Sequence, residues 1–480
     1  IKGVYALKNF DFDEETIYKN RWIIQFVLIV VPFMGSLDAS IVNVVLPSIK
    51  KDLGINLSLS SLIVSSYIIT VATTIIIFGK LGDLKGKGRV FLYGIIVFIF
   101  GSFLCSISPN ITILIISRVI QGIGASIVMA NNQGLTAIVF PPNERGRALG
   151  LSGSAVALGS ILGPALGGFI MTYLSWHFIF LINIPIGLIS FIVGYKTLPA
   201  RNSTSDVKLD KYGAFVFFIS IFILFSSLLV SQDMGFSNLY VILGFFIGFV
   251  FLFFFIRLEK KLKEPMLNLN LFKTKSLSFN LVCAFIYYFI SSSINLIIPF
   301  YLSDTFNYSQ SQISTIILVN PLIMFFIAPV SGYLSDKIGP KKVTLAGLFI
   351  IICSMILMIR LDENSLKVYI LASLCVFGFA SGTFNSPNTT LVMSTVKSEY
   401  LGITGSINSL IRNLGMASGT SISTSILYHQ MSSLAGHKVE DIVSSYFVYG
   451  MKSVFVVLLT LSITAFILSN IDKKLDFDKN

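Results

Sequence analysis

A single carboxylate, Asp38, lies inside the first long apolar segment of the chain. If this segment is a helix, Asp38 is ~25 Å from its beginning near residue 22, at 1.5 Å per residue. A carboxylate at that depth in a membrane is costly unless it is protonated, paired or hydrated. A proton and a cationic substrate would compete for the same charge, which is what proton exchange requires. The alternative is a structural role, such as pairing with Arg118.

Arg118 is a lone base within the fourth apolar segment, with Gln121 one helical turn away. One interpretation is that it pairs with Asp38 and senses the protonation of that carboxylate. The other is that it lies near the outer interface and extends its charge to water. We therefore predict that Asp38 and Arg118 together carry proton coupling.

An enzymatic site is the competing class of function. His437 and Asp441 are four residues apart beside Glu440, a spacing that suits a weak metal site or a general base, although the segment has the character of a solvated loop. The sequence has no GxSxG, HExxH or Gly-rich phosphate motif, so we expect neither catalysis nor ATP-driven pumping. The four cysteines lie in apolar runs without CxxC spacing, and we expect neither a metal nor a cofactor. A receptor or scaffold is the other rival, and no appended soluble domain supports it.

The composition indicates the class of protein in which these residues lie. Hydrophobic residues make up 54% of the 480 residues and charged residues 12%, and the mean hydropathy is +0.83. A soluble protein of this size could not cover that much apolar surface. Runs long enough to span a bilayer occur near 22–46, 60–80, 89–108, 111–134, 147–172, 178–198, 212–230, 238–257, 278–302, 313–335, 342–360, 367–390, 401–428 and 450–470. We predict an all-α, multi-pass membrane protein with these fourteen transmembrane helices.

The basic residues predict the orientation of the chain. With both termini in the cytoplasm, the outer loops hold only six of the 35 Lys and Arg residues, which are Lys50, Lys51, Arg360, Lys367, Lys438 and Lys452. The net charge of +12 then reflects topology and contact with anionic lipid, and not nucleic-acid binding. Residues 1–21 have no apolar core typical of a signal peptide, so we expect a cytoplasmic tail or a short surface helix. We expect a protein of the plasma membrane.

The sequence partly repeats itself. Gly79-Lys-Leu-Gly-Asp83 follows the second span and Gly332-Tyr-Leu-Ser-Asp336 the tenth; Glu144 and Glu399 occupy matching loop positions. The repeat predicts two six-helix bundles with a substrate site between them. The corresponding division is a tail (1–21), an N-terminal bundle (22–198), a linker (199–211), an inserted hairpin (212–257), a second linker (258–277), a C-terminal bundle (278–470) and a tail (471–480). The hairpin is expected either to face lipid or to form a partner surface.

Five motifs occur in order along these spans, and each is similar to a motif of the major facilitator superfamily. They are LDASIVNVVLP (37–47), GKLGDLKGKGR (79–89), RVIQGIG (118–124), GSILGPALGG (159–168) and WHFIFLINIPIG (176–187). The first is specific to the fourteen-span drug:proton antiporter group, the relatives of QacA and EmrB. The chain departs from the family patterns at Ser40, Leu84 and His177.

The resemblance implies a monomeric major facilitator fold that exchanges protons for lipophilic compounds such as drugs, dyes or biocides. The motif around Gly163 and Pro164 is the one that the family associates with antiporters, so it implies export. An exporter of a specific metabolite or lipid is the alternative. No second carboxylate lies near the middle of spans 9 to 14. We therefore predict exchange of one proton for one monovalent cation or neutral molecule.

Two further groups of residues complete the predicted site. Conformational gating is assigned to residues at the span ends and on one glycine face of span 5, which we expect to contact the other bundle between 278 and 335: Gly79, Asp83, Lys87, Arg89, Gly159, Gly163, Pro164, Gly167, Gly332, Asp336 and Lys337. Candidates for the substrate cavity are polar or aromatic residues within spans: Asn43, Tyr67, Gln121, Asn132, Tyr287, Tyr288, Asn295, Asn320, Asn385, Asn388 and Asn408.

Overall fold

A computed structural model describes residues 14–55, 57–199, 210–262, 265–397, 400–436 and 444–471. Most of the predicted N-terminal tail, the first linker and the C-terminal tail lie outside these ranges. Glu399 and the segment from His437 to Asp441 also lie outside them, so the predictions made for those residues are untested.

Long helices make up nearly all of the described chain. Their bounds are α1 (Glu14–Lys19), α2 (Arg21–Asp52), α3 (Leu57–Lys85), α4 (Lys87–Ser106), α5 (Ile111–Val139), α6 (Arg145–Tyr173), α7 (Phe178–Leu181), α8 (Asn183–Thr197), α9 (Lys211–Met234), α10 (Leu239–Glu259), α11 (Lys275–Phe300), α12 (Gln310–Ile317), α13 (Val319–Ile338), α14 (Pro340–Ile359), α15 (Lys367–Ser394), α16 (Leu401–Ala435) and α17 (Ser444–Ile471). The apolar runs form helices because every backbone polar group must be satisfied within the segment when lipid is the solvent.

Thirteen helical segments among the described residues are long and apolar enough to cross a membrane. Two of them combine neighbouring helices, since α7 with α8 and α12 with α13 each form one crossing. The remaining predicted span is α16, a 35-residue helix rich in Ser, Thr and Asn. It contacts α3, α5, α9, α11 and α17, so its polar side chains face other helices more than lipid. The all-helical prediction is confirmed.

The helices group into two bundles. In the first, α2 packs on α6 and α5 packs on α3 and α4; in the second, α15 packs on α13 and α14, and α11 packs on α16. The bundles meet where α6 contacts α13 and where α16 contacts α3 and α5. The contacts described below lie toward one end of the assembly. We name it the basic end after Arg145, and the carboxylates of Asp83 and Asp336 lie at the same end.

The hairpin of α9 and α10 lies against both bundles. Helix α9 contacts α3 of the first bundle and α16 of the second, and the Ser421 hydroxyl of α16 donates a 2.9 Å hydrogen bond to the Leu228 carbonyl of α9. Helix α10 packs mainly on α9. Its outer face exposes four phenylalanines by 53–65%, which are Phe246, Phe249, Phe253 and Phe254.

Candidate functional site

Asp38 and Arg118 form a buried ion pair between α2 and α5. Their side chains are each only 1% exposed, and Arg118 Nη1 lies 2.7 Å from Asp38 Oδ2. Gln121, one turn further along α5, donates from Nε2 to Asp38 Oδ1 at 3.0 Å. Helix α5 therefore presents both a cation and an amide to the carboxylate. The sequence-based prediction that Asp38 pairs with Arg118 is confirmed; their role in proton coupling stays a prediction.

Two further hydrogen bonds connect Arg118 with neighbouring groups. Its Nε donates to the Ile63 carbonyl at 3.1 Å, and its Nη1 also donates to Gln121 Oε1 at 2.6 Å. The guanidinium lies 4.5 Å from the ring centre of Tyr67 and 5.7 Å from that of Phe180. These contacts fix the orientation of Arg118 and exclude water from the pair, which strengthens their electrostatic interaction.

Asn183 is a member of this network that the sequence analysis did not assign. Its Nδ2 lies 3.3 Å from Asp38 Oδ1, and its own Oδ1 is buried without a hydrogen-bond partner among the described residues. The side chain reaches the site because α7 ends at Leu181 and α8 begins at Asn183. The family-like stretch 176–187 contains this residue, so that motif was the available signal.

The charge of Asp38 is balanced by contacts inside the first bundle. Oδ1 and Oδ2 accept three hydrogen bonds, and a single buried cation offsets the charge. Protonation would remove that offset and leave the Arg118 charge buried and unpaired, which is unfavourable in a low-dielectric interior. A shift in protonation therefore has to be accompanied by rearrangement of the polar contacts or of the helices that carry them.

At the basic end, carboxylates from each bundle meet helix N-termini of the other. Asp336 Oδ1 and Oδ2 accept hydrogen bonds from the backbone N–H groups of Gly146 and Arg147, at 2.7 and 2.8 Å, in the first turn of α6. Asp83 accepts one from the Ile403 N–H at 3.1 Å, in the first turn of α16, and its Oδ1 lies 2.5 Å from Lys87 Nζ. Negative charge is favourable at a helix N-terminus. The two contacts hold the bundles together at this end.

Glycines allow the bundles to approach closely beside these carboxylates. A Cβ atom built on Gly146 would lie 2.5 Å from the Gly332 carbonyl oxygen, and one built on Gly150 would lie 2.5 Å from the Ala328 carbonyl oxygen. The Ser386 hydroxyl of α15 donates to the Gly146 carbonyl at 2.9 Å. Side chains larger than hydrogen would separate α6 from α13.

The prediction for the glycines in the middle of α6 is wrong. We expected Gly159, Gly163 and Gly167 to contact the second bundle, but they face α2 of their own bundle. A Cβ on Gly159 would meet the Phe33 carbonyl oxygen at 2.6 Å, and one on Gly163 would meet Ser40. The spacing identified a close helix crossing, but α6 turns this face toward α2 and reaches α13 with residues 146 to 154 near its beginning.

The other predicted gating residues have different surroundings. Gly79 faces Ser406 of α16 across the interface between the bundles. Lys337 lies with its Nζ 4.7 Å from the ring centre of Tyr333 on its own helix. Arg89 has a buried Nε without a hydrogen-bond partner in the described part of the chain. Pro164 lies inside α6, which continues past it.

The structure does not bring the cavity candidates together at one point. Tyr67 and Gln121 belong to the Asp38 network. The Tyr288 hydroxyl donates to Asn385 Oδ1 at 2.8 Å, and Tyr287 is buried with its ring centre 4.9 Å from those of Tyr288 and Phe384. These residues form an aromatic and amide wall in the second bundle.

The remaining candidates, all asparagines, are dispersed. Asn295 and Asn320 line a small cavity within the second bundle, and Asn43 is exposed on α2. Asn132 donates to the Leu28 carbonyl at 2.6 Å, and Asn388 to the Asn280 carbonyl at 3.3 Å, each within its own bundle. Asn408 instead donates across the interface to Gln133 Oε1 at 3.1 Å. Several of these asparagines therefore connect helices to one another.

No group of three or more His, Cys, Asp or Glu side chains that could hold a metal ion occurs among the described residues. All four cysteines are free, with Cys105 and Cys283 buried and Cys353 and Cys375 partly buried.

Comparison with known proteins finds a family, relatives and a solved structure that this chain resembles. The family described as the Major Facilitator Superfamily matches residues 28–272 and 280–471. The riboflavin transporter RibZ of Clostridioides difficile (strain 630) is 34% identical, over 95% of this chain and 100% of RibZ. The multidrug export protein EmrB of Escherichia coli (strain K12) is 28% identical, over 84% of this chain and 80% of EmrB. The match to the crystal structure of the human organic anion transporter MFSD10 (TETRAN) covers 95% of this chain and 100% of the MFSD10 chain. Its TM-score is 0.67 at 15% identity, which supports the fold alone.

Proposed function

Because the chain belongs to the Major Facilitator Superfamily, we propose that it is a proton-coupled antiporter that exports small lipophilic organic compounds by alternating access. Its relatives are transporters, so the chain is a transporter and not an enzyme. The observation that supports proton coupling is the buried pair of Asp38 and Arg118.

Asp38 is the proposed site of the exchanged proton. Its charge is offset by Arg118 alone, so binding of a proton changes the electrostatic balance of the first bundle. Contacts of Arg118 with Tyr67 and Gln121 transmit that change to α3 and α4, because Gln121 Nε2 also donates to Ser102 of α4 at 2.9 Å. A shift of these helices alters how the first bundle meets the second.

The proposed cycle opens and closes the basic end. In the described state Asp83 and Asp336 hold this end closed through contacts with α16 and α6. We assign the basic end to the cytoplasm, because Lys and Arg concentrate on the cytoplasmic side of membrane proteins. Both termini would then be cytoplasmic in the plasma membrane, and the described state would be the one from which substrate leaves the cell. The transporter would act as a monomer.

A second candidate function is the transport of one specific metabolite. It is favoured by the similarity to RibZ, which extends over the whole of that riboflavin transporter and 95% of this chain. The same proton chemistry would serve either function, since the substrate is selected by the cavity and not by Asp38.

The proposal is tested with the full chain in proteoliposomes under an imposed pH gradient. The compounds are rhodamine 123, ethidium, fluorescein and riboflavin, and proton flux is recorded with an internal pH indicator. We expect at least one compound to cross the membrane in the direction opposite to the proton flux. This coupled flux should be lost in Asp38→Asn. Asp362→Asn, an exposed carboxylate near the opposite end of the second bundle, is the matched control. Coupled flux that persists unchanged in Asp38→Asn would contradict the proposal.

A further inference from the structure

Arg412 is a second base within the helical bundle and has no role in the mechanism above. It lies ~17 Å along α16 from Leu401, at 1.5 Å per residue, which is near the middle of a ~30 Å hydrocarbon core. Its side chain is partly buried. Helix α16 packs against α11 of its own bundle and against α3 and α5 of the other, so Arg412 belongs to the helix that joins the bundles.

The described residues supply no carboxylate to Arg412. Their three ion pairs are Arg21 with Glu144, Lys87 with Asp83, and Arg118 with Asp38. Arg412 instead interacts electrostatically with the Tyr288 hydroxyl of α11 and with Tyr67 of α3. A guanidinium has five N–H donors and is always charged. A single phenol oxygen leaves most of that capacity unused.

Tyr288, the neighbour of this cation in the second bundle, belongs to a cluster of aromatic rings. Tyr288 donates its own proton to Asn385 Oδ1 at 2.8 Å, so its oxygen is oriented to accept from Arg412. Tyr287 lies against Tyr288 and Phe384. Flat rings beside a guanidinium suit a planar ligand that carries an acceptor edge, because the rings contact its faces and the guanidinium binds its oxygens in a bidentate manner.

The charge balance of the interior also distinguishes ligands. Asp38 and Arg118 cancel one another, whereas Arg412 contributes an uncompensated positive charge. A lipophilic cation close to Arg412 would be repelled by it, and more strongly once Asp38 is protonated. An anion would be attracted in both states.

We infer that Arg412, with Tyr288 and Tyr67, forms a substrate subsite for planar aromatic molecules that bear an anionic edge. The inference rests on the proposed transport function and specifies its substrate class. It replaces the monovalent cation or neutral molecule expected from the sequence with an organic anion, and it makes Arg412 the residue that determines specificity.

The test uses two dyes of one xanthene framework and opposite charge, anionic fluorescein and cationic rhodamine 123. Binding to the purified full chain in lipid nanodiscs is measured by fluorescence polarisation. We expect the native chain to bind fluorescein at least ~10-fold more tightly than rhodamine 123, as expected for a charge-assisted contact. Arg412→Gln should remove this preference, and Arg412→Lys, which keeps the charge, should retain part of it. Arg360→Gln removes an exposed positive charge at the end of α14 and should change nothing.

Three outcomes would overturn the inference: no binding of fluorescein, a native preference for rhodamine 123, or a preference that persists in Arg412→Gln. Thermal unfolding identifies a variant that fails to fold. If Arg412→Gln does not fold, the inference is tested by the dye preference of the native chain and of Arg412→Lys. The transport experiment keeps the two proposals apart. Asp38-dependent export of rhodamine 123 with no preference for fluorescein would refute the subsite and leave the proton-coupled function standing. Arg412-dependent binding of fluorescein without coupled flux would support the subsite and refute the proton-coupled function.

Discussion

The Asp38 carboxylate and the Arg118 guanidinium lie 2.7 Å apart, and both side chains are 1% exposed. The pair joins α2 to α5 within one bundle and does not cross to the other. Any effect of a proton on the interface between the bundles must therefore pass along α5, which carries Arg118 and also meets α16, or through α3, whose Tyr67 lies against Arg118.

Removing one partner of this pair is expected to destabilise the protein more than removing both. Asp38→Asn leaves the Arg118 charge buried without a counterion, at a cost of about 3–5 kcal/mol. The double variant Asp38→Asn with Arg118→Gln restores charge balance, so its thermal unfolding temperature should recover toward that of the native chain while proton coupling stays absent. Equal unfolding temperatures of the single and double variants would show that the Asp38 and Arg118 side chains do not stabilise each other in the folded protein.

The contacts of Asp83 and Asp336 should determine how firmly the basic end closes. Asp83→Asn and Asp336→Asn remove the negative charge that faces a helix N-terminus of the other bundle, a contact worth about 0.3–2 kcal/mol. We expect transport to fall and membrane insertion to remain. A cysteine introduced at Ser386, which is 4% exposed and donates to Gly146, should react faster with a maleimide in both variants. Asp362→Asn is the control, and unchanged reactivity in the interface variants would argue against a closing role.

Gly150→Ala should block closure by steric contact. The added Cβ would lie 2.5 Å from the Ala328 carbonyl oxygen, a backbone atom that cannot move without the helix. We expect most transport to be lost and the Ser386 cysteine reporter to become more reactive. Gly168→Ala lies on the same helix with no heavy atom within 4 Å of its Cβ and should behave like the native chain. Normal transport by Gly150→Ala would show that α6 and α13 need not approach so closely.

Gly159→Ala should affect stability more than gating. Its Cβ would lie 2.6 Å from the Phe33 carbonyl oxygen of α2, inside the first bundle. Overpacking of this kind costs typically ~1–3 kcal/mol. We expect a lower unfolding temperature with little change in the reactivity of the Ser386 cysteine reporter. A large change in that reactivity without loss of stability would return Gly159 to the gating role that the sequence predicted.

The sequence by itself determined the helical membrane fold and the position of Asp38 inside it. Runs of about 20 apolar residues have few stable states other than a transmembrane helix. A lone carboxylate and a lone base inside two such helices have to find each other or water, so the pairing of Asp38 with Arg118 followed from their isolation. The motifs around them carried the family resemblance, which the comparisons confirm.

The tertiary structure alone decided which faces meet. Gly159 and Gly146 both occur on α6 in glycine-rich sequence, yet Gly159 packs on α2 while Gly146 packs on α13. The periodicity that identifies a close crossing contains no information about its partner, because a helix with apolar residues on all sides has no preferred buried face. The roles of Asn183 and Arg412 were hidden for the same reason. Their significance depends on which groups lie opposite them: Asp38 lies opposite Asn183, and no carboxylate among the described residues lies opposite Arg412.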